Sequence, residues 1–119
     1  MIHCQTELPL EACGLLSGKN GMATEICRMR NVDRSPVSFS MSENEISRAF
    51  KGFKNRDEEW MAIYHSHPTD RAYPSQEDIL FHNYPEIPYI IVSLAQNKPA
   101  VRCFLIENSL VTELKIELV

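Results

Sequence analysis

Trp60-Met61-Ala62-Ile63-Tyr64-His65-Ser66-His67-Pro68 reads as one strand with a marked end. Residues i and i+2 of a strand project from the same face. His65 and His67 therefore point to one side of a sheet, and Tyr64 and Ser66 to the other, where they are assigned to packing. Pro68 cannot continue the ladder and turns the chain. Seven residues on, Ser75-Gln76-Glu77-Asp78 has the form of a capping box, Ser as N-cap and an acid three later, opening a helix from Ser75 to about His82 ahead of Pro85.

Upstream, Gly14-Leu15-Leu16-Ser17-Gly18 is a short apolar strand, and Asn20-Gly21 is a hairpin signal that predicts a return strand from Met22 to Arg30. Residues 31–37 are loop, and Phe39 to Met41 is expected to form a brief strand. Ser42-Glu43-Asn44-Glu45 is another capping box. Behind it Ile46, Ala49, Phe50 and Phe53 fall at helical spacing, which predicts an amphipathic helix over 43–54. Downstream, Tyr89-Ile90-Ile91-Val92 is a continuous apolar run suited to a central strand, and Val101 to Ile106 is another. After the Asn108-Ser109 turn, Leu110, Thr112, Leu114, Ile116 and Leu118 alternate as a half-buried strand. The order is helix, two strands, helix, strand, helix, three strands. That order fits an α/β or α+β fold with a mixed, largely antiparallel sheet and helices packed on it.

The chain has 119 residues, 44% hydrophobic and 24% charged, with a net charge of −4. That is the composition of a single soluble globular domain spanning 1–119. The acidic balance and the lack of a basic stripe argue against a nucleic-acid partner. No apolar run approaches a membrane span, and no export signal is visible. The cysteines at 4, 13, 27 and 103 form no Cys-x-x-Cys pair, which fits reduced thiols in a cytoplasmic protein. Cys13 is the first suspect for a reactive thiol, being two residues from Glu11.

The chemistry concentrates in His65, His67 and Asp78. Two imidazoles on one strand face and a carboxylate in the first turn of the next helix leave a fourth position open on tetrahedral zinc, the pattern of a catalytic zinc site. Each residue also has a plainer reading. His-x-His occurs as two partly exposed histidines, and Ser75 with Asp78 caps a helix whether or not a metal binds. Asp70, three residues after His67, is a rival carboxylate. His82 shares a helical face with Asp78 and reads as a surface or packing histidine rather than a ligand. Glu11, between Pro9 and the first apolar strand, is a candidate base, or else an edge carboxylate solvating a strand start. Ser93, after the Ile-Ile-Val run, reads as a strand-end polar residue.

The run His65-x-His67-Pro68, six residues, Ser75, two residues, Asp78 resembles the JAMM (MPN-plus) metalloprotease family. Upstream, Glu11 lies in the context Pro9-Leu10-Glu11-Ala12-Cys13-Gly14-Leu15-Leu16. The resemblance covers the whole chain and is nearest the small bacterial and archaeal branch. It implies a curved mixed sheet with flanking helices, similar to cytidine deaminase. It implies one zinc per chain on His65, His67 and Asp78, with Glu11 as general base and Ser75 as oxyanion donor. It also implies hydrolysis of peptide or isopeptide bonds next to the C-terminal glycines of ubiquitin-like or sulfur-carrier proteins, with release of cysteine from a carrier adduct among the options. A non-catalytic scaffold of the same fold is the alternative. A cupin-like barrel, which also uses His-x-His, fits the spacing poorly, because Glu77 lies ten residues after His67.

Only ten residues precede Glu11, fewer than is usual in that family. Either the start lies further upstream or the first helix is a stub held by packing Ile2 and Leu8 on the sheet. A stub would leave apolar surface uncovered, for which a two-fold homodimer is the commonest remedy. There is also no room for the insertions with which larger relatives grip ubiquitin chains.

Overall fold

The computed structural model describes residues 2–81 and 83–117, with the backbone alone for Phe81. The order among them is α1 (Ile2–Thr6), β1 (Cys13–Lys19), β2 (Met22–Met29), α2 (Glu43–Asn55), β3 (Glu59–His67), α3 (Gln76–Phe81), β4 (Tyr89–Ser93), β5 (Ala100–Glu107) and β6 (Leu110–Leu114). The strands form a six-stranded sheet in the order β2-β1-β3-β4-β5-β6. It is open rather than closed into a barrel, and mixed. β3 and β4 run parallel, and the other neighbouring pairs are antiparallel. This is the α+β, largely antiparallel architecture expected from the element order.

The parallel pair places the site. Parallel neighbours need a crossover connection, and residues 68–88, which include α3, supply it. The crossover starts where β3 ends, so α3 begins beside His65 and His67. Ligand sites of open sheets with parallel strands gather at such carboxyl ends.

One face of the sheet buries Cys13, Leu15, Met29, Ile63, Tyr89 and Ile106 against Phe53 of α2. Ser42 caps α2 as its sequence indicates, its Oγ accepting from the Glu45 N–H at 3.5 Å, while the Glu45 carboxylate faces Arg30. The opposite face holds Cys4, Ala12, Tyr64 and Val92. There the Tyr64 ring lies so close over Gly14 that a Cβ at Gly14 would collide with it.

Three expectations are corrected. Phe39 to Met41 forms no strand, because the segment hydrogen-bonds to Asn31 and Asp33 of its own loop instead of to a neighbouring strand. α1 docks through His3 and Cys4, while Ile2 is 71% and Leu8 47% exposed. The buried His3 ring is held by the Tyr64 hydroxyl, 2.6 Å from Nδ1. Finally, β6 stops at Leu114. Val111 packs on the core and Leu114 is half-buried, while Leu110 and Ile116 are exposed, so the alternating face is not the buried one along its length; Leu118 lies outside the described residues.

Candidate active site

Nε2 of His65 and Nε2 of His67 lie 3.1 Å apart, and Asp78 Oδ2 lies 3.1 Å from the first and 3.0 Å from the second. Both imidazoles are buried, His65 completely. His67 Nδ1 is 2.8 Å from the carbonyl oxygen of Arg71, which only accepts, so Nδ1 carries the proton and a neutral ring turns the Nε2 lone pair toward Asp78. Lone pairs thus converge where there are too few protons to bridge them, an arrangement a cation resolves. Donors about 2.0–2.2 Å from a tetrahedral zinc stand about 3.3 Å apart, close to the observed triangle. The donor set fits the metal, and among the described residues these three form a group able to hold one.

The electrostatics follow from the same contacts. Burial pushes His65 below the ordinary imidazole value and outweighs its bond to Asp78. Burial acts on His67 in the same sense, but there the Asp78 carboxylate and the Arg71 carbonyl win and raise it. Asp78 is partly desolvated, yet the two imidazoles and the Ser75 N–H hold it well below the usual carboxylate range. At neutral pH Asp78 is an anion.

The capping box aims that anion. The Ser75 N–H donates to Asp78 Oδ2 at 2.9 Å, and the Asp78 N–H donates to Ser75 Oγ at 3.1 Å. The oxygen that faces the imidazoles is thus also fixed by the helix start. Asp70 is placed otherwise. Its carboxylate accepts from the adjacent Arg71 N–H, outside the metal group. His82 lies outside the described residues.

Glu11 reaches the site from the other side of β3. The β1–β3 register pairs Cys13 with His65. Continuing that register two steps brings Glu11 to the level of His67, whose charge acts on it. The intermediate step is visible as two bonds between Ala12 and Ser66: the Ser66 N–H to the Ala12 carbonyl at 3.0 Å, and the Ala12 N–H to Ser66 Oγ at 2.8 Å. Glu11 is 3% exposed, and its Oε1 has no hydrogen-bond partner among the described residues. Desolvation raises its pKa to about 8, against the opposing pull of His67. Glu11, His67 and Ser75 line one cleft of about 260 Å³, walled by Pro36, Val37 and Glu77.

The family model described as prokaryotic homologs of the JAB domain matches residues 1–107. The chain belongs to this family. It is 31% identical to the CysO-cysteine peptidase of Mycobacterium tuberculosis over 120 residues, 98% of this chain and 82% of the relative. Identity to the desampylase of Pyrococcus furiosus is 30% over 108 residues, 90% of this chain and 75% of that one. A solution structure from Desulfitobacterium hafniense superposes with a TM-score of 0.91 at 36% identity, covering 99% of this chain and 84% of that one.

Several contributors to the site carry no signal in the sequence. Phe39 stacks on His65 with ring centroids 4.4 Å apart. The Arg71 carbonyl fixes the His67 tautomer although its side chain plays no part. Ser66 faces away from the metal group, as the strand period requires, but holds the backbone next to Glu11. Ser93 donates to the Asp70 carbonyl and so secures the loop after β3. Cys13, by contrast, is an inert thiol, fully buried and pushed up to about 12 by that burial.

Proposed function

We propose that this chain is a zinc-dependent peptidase that cleaves the bond after the C-terminal Gly-Gly of a ubiquitin-like or sulfur-carrier protein. In this reading His65, His67 and Asp78 hold one zinc per chain. The observation that carries it is Glu11, a buried carboxylate whose Oε1 has no hydrogen-bond partner among the described residues, lining the same cleft as His67 and Ser75. A scaffold gains nothing from the cost of burying such a group, whereas a carboxylate that desolvation raises toward the working pH, and that a bound cation would draw back down, suits proton transfer. The relatives named as peptidase and desampylase support hydrolysis of carrier conjugates.

When bound, zinc supplies Lewis acidity toward the scissile carbonyl and lowers the pKa of water. The protein groups divide the remaining work. Glu11 Oε takes the proton from the attacking water and delivers it to the leaving amine. Ser75 Oγ already accepts from the Asp78 N–H, which leaves its own O–H to donate to the developing oxyanion. His67, Asp78 and Ser75 are locked by one another and by Arg71, so little reorganisation accompanies the reaction.

The test is hydrolysis of a panel of Gly-Gly carriers joined to cysteine, to a peptide or to a lysine side chain, using zinc-loaded protein. Cleavage after the second glycine is expected and is lost on chelation. Zinc-loaded protein that cleaves none of them would favour the non-catalytic scaffold. Two further parts belong to this reading. Free, mostly buried thiols suit a reducing cytoplasm. Exposed Ile2 and Leu8 suit a two-fold homodimer, which light scattering over a range of concentrations would refute by finding only monomer.

A further inference from the structure

We infer that Asn31 is a positioning residue for Glu11, its single buried amide fixing the backbone that carries the carboxylate to the loop that walls the reaction cleft. The inference rests on the hydrolytic reading above.

Glu11 lies just ahead of β1; the Ala12 carbonyl still accepts from the Ser66 N–H, but the N–H and carbonyl of Glu11 itself bond to no strand. Its backbone bonds come from elsewhere. The Glu11 N–H donates to the Ser35 carbonyl at 2.8 Å, and the Glu11 carbonyl accepts from Asn31 Nδ2 at 3.1 Å. Both partners belong to the connection between β2 and α2. Ser66 holds the next residue, as described above.

Asn31 is 5% exposed and joins more of the chain than any single strand bond could. Its Nδ2 also donates to the Ser38 carbonyl at 2.9 Å and, more weakly, to that of Ser35 at 3.5 Å. Its Oδ1 accepts from the N–H of Asp33 at 3.0 Å and of Ser40 at 3.2 Å. An amide offers two N–H donors and two lone pairs, and here both ends are fully used. Loop residues 33–40 are thereby wound around one side chain, and that side chain also grips Glu11.

The loop so wound shapes the site. Pro36 and Val37 wall the cleft that contains Glu11. Phe39 stacks on His65. Ser38, Phe39 and Ser40 also edge a larger cavity of about 450 Å³ that Asp78 lines as well. A carboxylate at position 31 would keep the acceptor and lose both donors. An apolar residue would lose all of the bonds. A catalytic carboxylate displaced by about 1 Å can lose on the order of 10²-fold in rate, so the hold on the Glu11 carbonyl reads directly on catalysis.

The experiment is a double-mutant cycle on the full chain, with kcat and KM measured on a cleaved Gly-Gly conjugate at the pH plateau and zinc content measured in parallel. Asn31→Ala, and the isosteric Asn31→Asp should the first not fold, are expected to lower kcat roughly 10- to 100-fold. KM should stay within a few-fold and zinc should be retained. In a Glu11→Gln background the same change is expected to alter the residual rate less than about two-fold, because the group it positions is already gone. An equal loss in both backgrounds would overturn the inference. So would a rise in KM at unchanged kcat, which would make Asn31 a wall residue for substrate. Failure of both variants to fold would make it a folding residue instead. Failure of the proposed function itself is separate, since wild-type protein would then cleave no conjugate.

Discussion

His67 touches the carbonyl oxygen of Arg71 with one ring nitrogen and the carboxylate of Asp78 with the other. The first contact fixes a proton on Nδ1, and the second aims Nε2, a lone pair in the neutral ring, at an anion that draws a proton or a cation to it. A hydrogen bond on the outer nitrogen that orients the inner one is the usual support of a metal-ligating histidine. Here it comes from backbone, so it survives any change in the Arg71 side chain that keeps the turn.

The three-ligand site makes a comparative prediction about metal. His67→Ala and Asp78→Ala should each lose zinc by more than the roughly 10- to 100-fold in affinity that an outer contact costs. Asp70→Ala should keep it, since that carboxylate is engaged with the Arg71 N–H. Metal analysis of purified protein decides the matter. Full zinc in Asp78→Ala with loss in Asp70→Ala would move the third ligand to Asp70.

Glu11→Gln preserves shape and removes the proton acceptor. The substitution should retain zinc and fold, and lower the rate on the order of 10²- to 10⁴-fold. Activity within a few-fold of wild type, measured on a cleaved carrier conjugate, would remove Glu11 from the reaction.

Much of this site was legible because strand and cap rules act locally. The period of a strand put His65 and His67 on one face, and the Ser75–Asp78 spacing announced a rigid carboxylate at a helix start. Glu11 was harder. Its place at the level of His67 depends on the β1–β3 register, a long-range pairing that residue types near position 11 do not specify. Asn31 and Phe39 were harder still. Phe39 looked like strand, yet its segment is claimed by bonds to Asn31 and Asp33, and a loop that closes on its own side chains leaves no periodic pattern. The first helix misled for another reason. Apolar Ile2 and Leu8 were the obvious anchors, but the partner waiting on the sheet is a tyrosine hydroxyl, which selects His3.

In the proposed mechanism Ser75 is both helix cap and oxyanion donor, and a melt beside the assay of one variant separates the two. Ser75→Ala removes the acceptor for the Asp78 N–H, a cap loss that costs about 0.5–2 kcal/mol. Removing the oxyanion donor should lower kcat by on the order of 10²- to 10³-fold. A thermal melt beside the assay reads the two apart. A rate loss no larger than the loss of folded or zinc-loaded protein would leave Ser75 as a cap alone.

Metal-free protein should become less stable as pH rises from about 5 to 8, and Glu11 should account for part of the slope. Burial raises its folded pKa to about 8 from an ordinary value of 4.5. Through that window the unfolded chain releases the Glu11 proton while the folded chain keeps it. Folded protein therefore binds more protons, and stability falls with pH, by at most about 1.4 kcal/mol per unit for one group. The stability is fully present below pH 4.5 and is lost through 8. Other groups of the cluster add their own slopes. His67, raised by Asp78 and Arg71, acts in the same direction above its ordinary value of 6.5. His65, lowered by burial, acts in the opposite direction below 6.5. Asp78, held low, contributes stability above 3.8 that is lost only under more acid conditions. Subtracting the melting curve of metal-free Glu11→Gln from that of metal-free wild type leaves the contribution of Glu11 together with its coupling to His67 and Asp78. The wild-type melting temperature should fall relative to the variant by several degrees between pH 5 and 8. Bound zinc, a cation that favours the ionised carboxylate, should shrink the difference. Two metal-free curves that stay parallel over the whole window would show that the Glu11 carboxylate is not desolvated in the folded protein.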